Sequence, residues 1–276
     1  MPVTLPKEWR SSDRQLLTCP ARWYLANAYP YNTLTPIWFI RGNAIHAAIE
    51  SIIAEGLTLD EGLELGATIL TDGIGEGVDL WSKTDPDPET AIYNTATCIR
   101  TWWQQVHPVS EERADIYKTL DWPPRVEVKL TAFGAMTRID AVFRLTGEPR
   151  TVVLVDWKTG ASKSDDTQLW IYQRLIEEQH QVKVHAAWFH NILQGKIQQA
   201  NPYPGDDIIH STLGAMLALR GAGHYPPLHG WYCQYCEAQD MCPIQPGDSD
   251  LRVDTLSPTE VRWVSVTSPE GMSRWR

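Results

Sequence analysis

The segment TVVLVDWKTG occupies residues 151–160, and its apolar run ends in an acid, a tryptophan and a lysine. The continuous apolar residues predict a strand that is buried on both faces. Asp156 and Lys158 are two residues apart and therefore point to the same side of an extended strand. An ordinary ion pair beside a loop and one half of an active site both fit this pattern. The tripeptide D-x-K by itself does not separate the two.

The segments on either side of this strand predict an α/β fold. Alternating apolar residues at 125–130 and 138–145 predict two strands that precede it, and the short connections predict an antiparallel meander. A helical pattern at 166–180 predicts a crossover to a fourth strand at 182–190. With a helix at 42–55, the order becomes αβββαβ, a mixed central sheet flanked by helices.

The remaining chain predicts further helices and one domain. Helical patterns follow at 57–90, where a helix precedes a DPDP loop, and at 90–106 and 208–220. Residues 11–29 predict two short helices around a Cys-Pro break. We expect one domain over residues 1–245, followed by a polar tail at 246–276.

Composition bounds the class of protein without naming a partner. The chain has 276 residues, no long apolar run and no apolar segment near its beginning, so we expect a cytoplasmic protein without a membrane span. The net charge is −10, but residues 51–90 carry ten acids and one base. The remaining 24 acids and 23 bases nearly balance. Bulk charge therefore neither supports nor excludes DNA binding.

Two acids on neighbouring predicted strands suggest a metal site. Asp140 lies within the second strand and Asp156 at the end of the third, and both are flanked by apolar residues. Because two such carboxylates repel each other, a divalent cation between them would stabilise the pair. Mg²⁺ prefers hard oxygen ligands of this kind. Lys158 reaches the same site, where it could position a water or stabilise charge on a phosphate.

Three more polar side chains fit the same site, and each also has an ordinary interpretation. Gln168 and Tyr172 are spaced i, i+4 and share one face of the helix that follows the strand. His46 lies on the helix predicted at 42–55. A tyrosine on such a helix is often a core aromatic, and a histidine on an apolar-periodic helix is often structural. Position alone leaves both interpretations open.

Taken in order, these motifs resemble the RecB-like branch of the PD-(D/E)XK nuclease superfamily. The matching segments are GNAIH, TRID, DWK and Q-x-x-x-Y, although Thr137 stands where many relatives carry a glycine. The resemblance implies that the metal ligands are His46, Asp140 and Asp156, with the backbone carbonyl of Trp157 as a further ligand. It also implies that Lys158 is the catalytic lysine. Gln168 and Tyr172 would then orient the nucleic acid or that lysine.

Five cysteines raise the question of a second metal site. Cys98 lies in a helical pattern and is interpreted as a small core residue. Cys233, Cys236 and Cys242 form C-x2-C-x5-C, and Cys19 is the obvious fourth ligand. Because we expect an intracellular protein, this spacing favours metal binding over a disulfide framework. Four cysteines suit either zinc or an iron–sulfur cluster.

The cysteine pattern also has a family counterpart. One early cysteine followed by a distant C-x2-C-x5-C resembles the iron–sulfur version of RecB-like nucleases, which includes the CRISPR-associated exonuclease family. The flanking CP-x-x-W-Y and the final CP fit as well. The resemblance implies a 4Fe–4S cluster that joins a segment at about residues 10–30 to one at 221–245.

The leading hypothesis is a DNA exonuclease that depends on Mg²⁺ or Mn²⁺ and acts on single-stranded ends. Phosphate contacts are expected from dispersed bases, namely Arg22, Arg41, Arg138, Lys163 and Arg174. A rival hypothesis is a non-catalytic module that binds DNA ends or a protein partner. A third is a structural protein held by zinc. A protein partner or a homo-oligomer is compatible with all three.

Overall fold

The computed structural model describes residues 15–30, 33–132, 135–160, 166–223, 225–228, 230, 233 and 236–242. The chain divides into two compact units. One is Pro36–Asp206, and the other combines Met1–Thr35 with Asp207–Arg276. The tail predicted at 246–276 lies outside the described residues.

Eight α-helices and five strands are found among the described residues. The helices are α1 (Gln15–Thr18), α2 (Pro20–Ala28), α3 (Ile37–Ala54), α4 (Leu59–Glu76), α5 (Pro88–Val106), α6 (Asp115–Lys118), α7 (Asp166–His180) and α8 (Asp206–Ala222). The strands are β1 (Arg125–Ala132), β2 (Ala135–Leu145), β3 (Glu148–Lys158), β4 (Lys183–Asn191) and β5 (Lys196–Gln199). A 3₁₀ turn covers Gln239–Met241.

The strands form one mixed sheet in the order β1-β2-β3-β4-β5. The first three strands are antiparallel neighbours, and α7 carries the chain to β4, which is parallel to β3. The predicted α/β class and mixed sheet are confirmed. Strand β5 was missed, because its four residues KIQQ are mostly exposed and too short to show a period. Helix α3 begins earlier than predicted, directly after Pro36.

Strand β3 is buried along most of its length because sheet neighbours flank it and helices cover it. Residues Thr151–Trp157 are all buried. Val153, Val155 and Trp157 pack into the core cluster that contains residues of α3 and α5. Trp157 lies edge-on to Trp102 of α5, with ring centroids 5.6 Å apart. The side chain of Trp157 is therefore a core residue, and its neighbours Asp156 and Lys158 point to the other side of the strand.

The acidic stretch at 51–90 is an integral part of this unit. Helix α4 begins with a capping box between Thr58 and Glu61. Its glycines allow close helix packing: a Cβ added at Gly62 would lie 2.4 Å from Ile52 Cδ1, and one at Gly73 would lie 2.5 Å from Ile40 Cγ2. Nine of the ten acids in this stretch are exposed, and Asp85 is the buried exception. The charge therefore lies mainly on a solvated helix face.

Among the described helices, none combines the length and the apolar character needed to cross a membrane.

Candidate active site

The sheet brings two carboxylates together at the carboxyl end of β3. Asp140 of β2 accepts a hydrogen bond from the backbone N–H of Trp157 on β3, with its Oδ2 atom 2.7 Å from the nitrogen. Asp156 is the residue just before that nitrogen. Antiparallel pairing of Ala141 with Val155 fixes this arrangement. The spacing between Asp140 and Asp156 along the chain is therefore set by the hairpin between β2 and β3.

A third acid, Glu127, completes a group that can hold a metal ion. One ligand atom each from His46, Glu127 and Asp140 lies within 4.8 Å of the others. His46 Nδ1 is 3.8 Å from Asp140 Oδ1. Arg138 is largely exposed, and its Nη1 lies 3.6 Å from Glu127 Oε2. This set of one imidazole and two carboxylates suits Mg²⁺ or Mn²⁺.

Glu127 was left without a role by sequence reasoning, although the strand register contains a signal. On β1, Val126 pairs with Ala141 and Val128 with Ile139, so Glu127 lies opposite Asp140. Its φ is +47°, a left-handed conformation that is unusual for glutamate. Strained backbone of this kind concentrates at functional sites because it costs free energy to hold. An acid opposite Asp140 in a predicted hairpin could have been chosen from the sequence.

Asp156 is engaged by Lys158 and by helix α7. Lys158 Nζ lies 2.6 Å from Asp156 Oδ2, and Gln168 Nε2 donates to Asp156 Oδ1 at 3.1 Å. Lys158 Nζ also donates to Gln168 Oε1 at 3.3 Å. The hydroxyl of Tyr172 accepts from Gln168 Nε2 at 2.6 Å. The predicted residues of β3 and α7 therefore form one connected polar chain.

The electrostatics of the site favour a cation. Burial raises the pKa of Asp140 well above its usual range, and the nearby charge of Asp156 raises it further. Burial lowers the pKa of His46, which keeps the imidazole neutral and leaves a ring nitrogen able to bind metal. A divalent cation would relieve the repulsion between the carboxylates. The residues present therefore fit the metal that the sequence pattern implies.

The backbone that follows Lys158 is anchored by two side chains from other elements. Arg41 of α3 donates from Nη2 to the carbonyl of Thr159 at 3.0 Å. Asn191 at the end of β4 donates to the carbonyl of Gly160 at 2.9 Å. Arg41 lies on the same helix as His46, so α3 both supplies the histidine and holds the backbone that follows β3.

Asp85, the one buried acid of the acidic stretch, holds Arg41 in place. Arg41 Nη1 donates to both Asp85 carboxylate oxygens, and both side chains are almost fully buried. Asp85 also accepts from Ser82 and from Asn94. Burial opposes ionisation, but the bonds from Asn94 and Arg41 outweigh it and lower the pKa of Asp85. The expectation that Arg41 contacts DNA phosphate is therefore wrong, because its guanidinium is enclosed by protein groups.

Two more arginines that were expected to contact phosphate form ion pairs with acids of the protein itself. Arg22 donates from Nε and Nη2 to Glu237, with the shortest distance 2.7 Å. Arg174 Nη1 donates to Glu178 at 3.0 Å, one turn further along α7. Lys163 lies outside the described residues. Exposed Arg138 is an expected base that lies beside the metal-binding group, through its contact with Glu127.

Comparison with known proteins identifies the family. The sequence model of the PD-(D/E)XK nuclease superfamily matches residues 11–243. This chain belongs to the PD-(D/E)XK nuclease superfamily. Members of this superfamily generally use divalent metals, in agreement with the acidic group described above. No curated protein sequence matches the nuclease significantly.

Solved structures give two distant likenesses of the nuclease. One is a candidate exonuclease from Eubacterium rectale, with 13% identity, a TM-score of 0.49, and coverage of 89% of this chain and 93% of that one. The other is the crystal structure of SSO0001, with 13% identity, a TM-score of 0.39, and coverage of 88% and 89%. These likenesses are too distant to support an argument about the nuclease.

The smaller unit of the nuclease gathers four of its five cysteines. Cys19, Cys233, Cys236 and Cys242 line one cavity. Two hydrogen bonds connect the segments that carry them, from Ala21 N to the carbonyl of Pro226 and from Leu34 N to that of Glu237. Burial raises the pKa of the Cys236 thiol to about 11. Four sulfurs around one cavity fit the metal or cluster that the cysteine pattern implies.

Four cysteine ligands suit either a zinc ion or an iron–sulfur cluster. Cys98 lies in the core cluster of the larger unit, as predicted.

Proposed function

We propose that this chain is a DNA exonuclease of the RecB-like branch, dependent on Mg²⁺ or Mn²⁺ and acting on single-stranded ends. The observation that supports the proposal best is the group formed by His46, Glu127 and Asp140, within 4.8 Å of one another. The ion pair of Asp156 and Lys158 stands beside it. The proposed RecB-like branch and the proposed action on single-stranded ends rest on the resemblance of the motif order GNAIH, TRID, DWK and Q-x-x-x-Y.

Each side chain has a distinct role in this proposal. His46, Asp140 and Asp156 hold the cation together with Glu127, and the carbonyl of Trp157 is a further ligand. A divalent cation, when bound, supplies Lewis-acid activation of water and neutralises phosphate charge.

The lysine and its neighbours on α7 act on the substrate side. The ammonium of Lys158 stabilises negative charge that develops on the phosphate during hydrolysis. Gln168 fixes the direction of that ammonium because it bonds to both Lys158 and Asp156, and Tyr172 fixes Gln168 in turn. A non-catalytic module would not need a lysine held in this way.

We also propose that Cys19, Cys233, Cys236 and Cys242 hold a structural 4Fe–4S cluster. Such a cluster joins a module built from about residues 10–30 and 221–245 within a nuclease domain of residues 1–245. The shared cavity supports a common ligand for the four cysteines, and the resemblance of the pattern C-x2-C-x5-C with one early cysteine supports a cluster over one zinc ion. The cluster has no part in hydrolysis in this proposal.

The nuclease proposal is tested with end-labelled single-stranded DNA in Mn²⁺. Asp156→Asn and Lys158→Ala are each expected to lower the rate by about 10² or more, because the first removes a charged ligand of the cation and the second removes the ammonium that stabilises charge on the phosphate. Asp115 and Lys118 form an exposed ion pair of 2.8 Å on α6. Asp115→Asn and Lys118→Ala are therefore matched controls.

Circular single-stranded and blunt duplex DNA of equal length test the preference for ends. An exonuclease leaves the circular strand intact. Equal cleavage of circular and linear strands would show an endonuclease instead. If the Asp156 and Lys158 variants cut as fast as the α6 controls, the site assignment is wrong.

The cluster proposal is tested on protein purified without oxygen. We expect about four iron atoms per chain and absorption near ~400 nm, both lost in Cys236→Ser. The control is Cys98→Ser, since Cys98 lies in the other unit. Colourless wild-type protein with one zinc per chain would contradict the proposal.

A further inference from the structure

A second cavity lies on the sheet face that α7 covers, at the end of the sheet away from the catalytic residues. Its volume is about 700 Å³, within the range of ligand-binding pockets. Strand residues Val142 and Val152 form part of its wall, and Ile176 contributes from α7. Because Val152 precedes Asp156 by four residues on β3, the cavity lies roughly 13 Å along the strand from the catalytic carboxylate.

Two arginines give this cavity a positive wall. Arg125 of β1 pairs with Val142, and Arg144 of β2 pairs with Val152, and both line the cavity. Arg144 is two residues beyond Val142, so the two arginines are diagonal neighbours on one sheet face. Side chains at such positions have Cβ atoms roughly 7 to 8 Å apart. This distance suits two guanidinium groups that converge on one anion.

Neither arginine forms an ion pair with a described residue: no carboxylate oxygen of the described part of the chain lies within 4.0 Å of the guanidinium of Arg125 or Arg144. Asp121 also lines the cavity, where its Oδ1 accepts a hydrogen bond from the hydroxyl of Thr146 at 2.9 Å, and its negative charge offsets one of the two positive charges. The lining therefore keeps an excess of positive charge. Both arginines are exposed, so an anion can reach their guanidinium groups.

The rest of the wall suits a ligand with an apolar or aromatic part. Trp122 is half-buried and lines the cavity beside the two valines. His180, the last residue of α7, adds a ring nitrogen that can donate or accept. Guanidinium groups bind phosphate oxygens through paired N–H bonds, whereas valine and tryptophan side chains pack against a sugar or a base. The chain as a whole has a net charge of −10, so the positive charge of this cavity comes from the local placement of Arg125 and Arg144.

We propose that this cavity binds a nucleoside 5′-monophosphate, with Arg125 and Arg144 on the phosphate and Trp122 beside the sugar or base. The ligand is either a free mononucleotide or the 5′-phosphorylated end of a DNA strand. Because the cavity includes none of His46, Asp140, Asp156 or Lys158, this binding does not use the catalytic group.

The test is equilibrium dialysis with labelled thymidine 5′-monophosphate in EDTA, where no hydrolysis occurs. We expect one molecule bound per chain, and binding of thymidine at least about tenfold weaker, because thymidine lacks the phosphate. Combined Arg125→Gln and Arg144→Gln is expected to weaken nucleotide binding by about tenfold or more. The matched control is Arg100→Gln, an exposed arginine on α5 that does not line the cavity.

Two further measurements show which site binds the nucleotide and whether the bound phosphate belongs to a free mononucleotide or to a strand end. Lys158→Ala should leave nucleotide binding unchanged, whereas loss of binding in that variant would place the nucleotide in the catalytic site and overturn the proposal. Displacement by 5′-phosphorylated oligo-dT, but not by the same strand without the phosphate, would show that strand ends occupy the cavity. Absence of displacement by either strand would assign it to free mononucleotides.

The proposal is wrong if the double variant and Arg100→Gln bind the nucleotide equally well, or if wild-type protein shows no saturable binding. Circular dichroism of each variant checks that it is folded. Because the measurement needs neither metal nor turnover, its result is independent of whether the chain is an exonuclease.

Discussion

Glu127 shows how one residue can be inconspicuous in a sequence and central in a site. It sits in RVEVKL, where the alternation of the strand explains it without any function. In the fold it stands beside His46 and Asp140, with a strained backbone. The role of this carboxylate as a possible metal ligand therefore becomes visible only when Asp140 on the neighbouring strand is considered.

We expect Glu127→Gln to weaken Mn²⁺ binding by about tenfold or more, because the amide keeps the shape but loses the charge of the ligand. The measurement is calorimetric titration of the protein with Mn²⁺. Glu148→Gln, an exposed acid at the start of β3, is the control. Equal affinities in the two variants would remove Glu127 from the proposed ligand set.

His190 is a second residue whose surroundings determine its chemistry. It lies in a buried chain in which its Nε2 donates to Gln105 Oε1 at 2.6 Å and its Nδ1 accepts from the Tyr117 hydroxyl at 2.8 Å. Burial lowers the pKa of His190 from 6.5 to about 4. His190 pairs with Trp157 across the sheet, so this neutral network lies beside the strand that carries Asp156 and Lys158.

This histidine should make the fold less stable in acid. In the unfolded chain this histidine is protonated below about pH 6.5, whereas in the folded chain it stays neutral down to about pH 4. The free energy of unfolding therefore falls as the pH is lowered from 6.5 to 4. The loss attributable to His190 is about 3 kcal/mol. In His190→Gln we expect this part of the pH dependence to vanish, as measured by urea unfolding at pH 4 to 7.5. Parallel curves for the two proteins would contradict the prediction.

At the scale of elements, helix α4 depends on glycines for contact with its neighbours. Gly62 faces Ile52 of α3 and Gly66 faces Ile99 of α5, whereas an added Cβ at Gly75 meets nothing within 4 Å. All three glycines lie within the same helix. The close approach of α4 holds α3, the helix that carries His46 and Arg41.

Gly62→Ala is expected to lower the free energy of unfolding by about 1 to 3 kcal/mol, because the new methyl group overpacks a buried interface. Gly75→Ala should instead raise it by about 0.5 to 1 kcal/mol, since alanine is the better helix former. Thermal or urea unfolding of both variants measures the difference. Stabilisation of equal size at both positions would show that α4 does not pack closely on α3.

The loop between α4 and α5 provides a second prediction at this scale. Asp85→Asn would leave the charge of Arg41 buried without its partner, at an expected cost of about 3 to 5 kcal/mol in the free energy of unfolding. The control is Asp87→Asn, an exposed N-cap of α5 two residues away, where asparagine caps a helix about as well. Chemical unfolding compares them. Similar stability in both variants would mean that the Arg41–Asp85 pair contributes little.

At the scale of the whole molecule, stability and activity oppose each other in the carboxylate site. The folded chain holds Glu127, Asp140 and Asp156 close enough to repel when no cation is bound. We expect Mn²⁺ at about 100 times its Kd to raise the free energy of unfolding by about 2.7 kcal/mol. Asp140→Asn should be more stable than wild type in EDTA and gain much less from Mn²⁺. Calorimetric melting measures both effects, and an equal gain from Mn²⁺ in both proteins would contradict the prediction.

The sequence by itself determined the elements and the order of the motifs. Apolar runs and periods predict β3 and α7 because burial on a strand or helix face requires those spacings. The positions of Asp140, Asp156 and Lys158 relative to their strands follow from the same rule. The additional strand β5 was not predicted, because its four mostly exposed residues are too few to show an alternating apolar pattern.

Only the tertiary structure decided which charged groups meet. Arg41 was expected to contact phosphate, and Asp85 is one of ten acids in the stretch at 51–90. They are far apart in the chain, yet the fold buries them together as an ion pair. Glu127 joins the metal group through strand register, and the same register places Arg125 and Arg144 along one cavity. Such contacts depend on how helices and strands pack across long separations in the chain. Local sequence patterns report burial and period, and they do not specify which partner a buried charge will find.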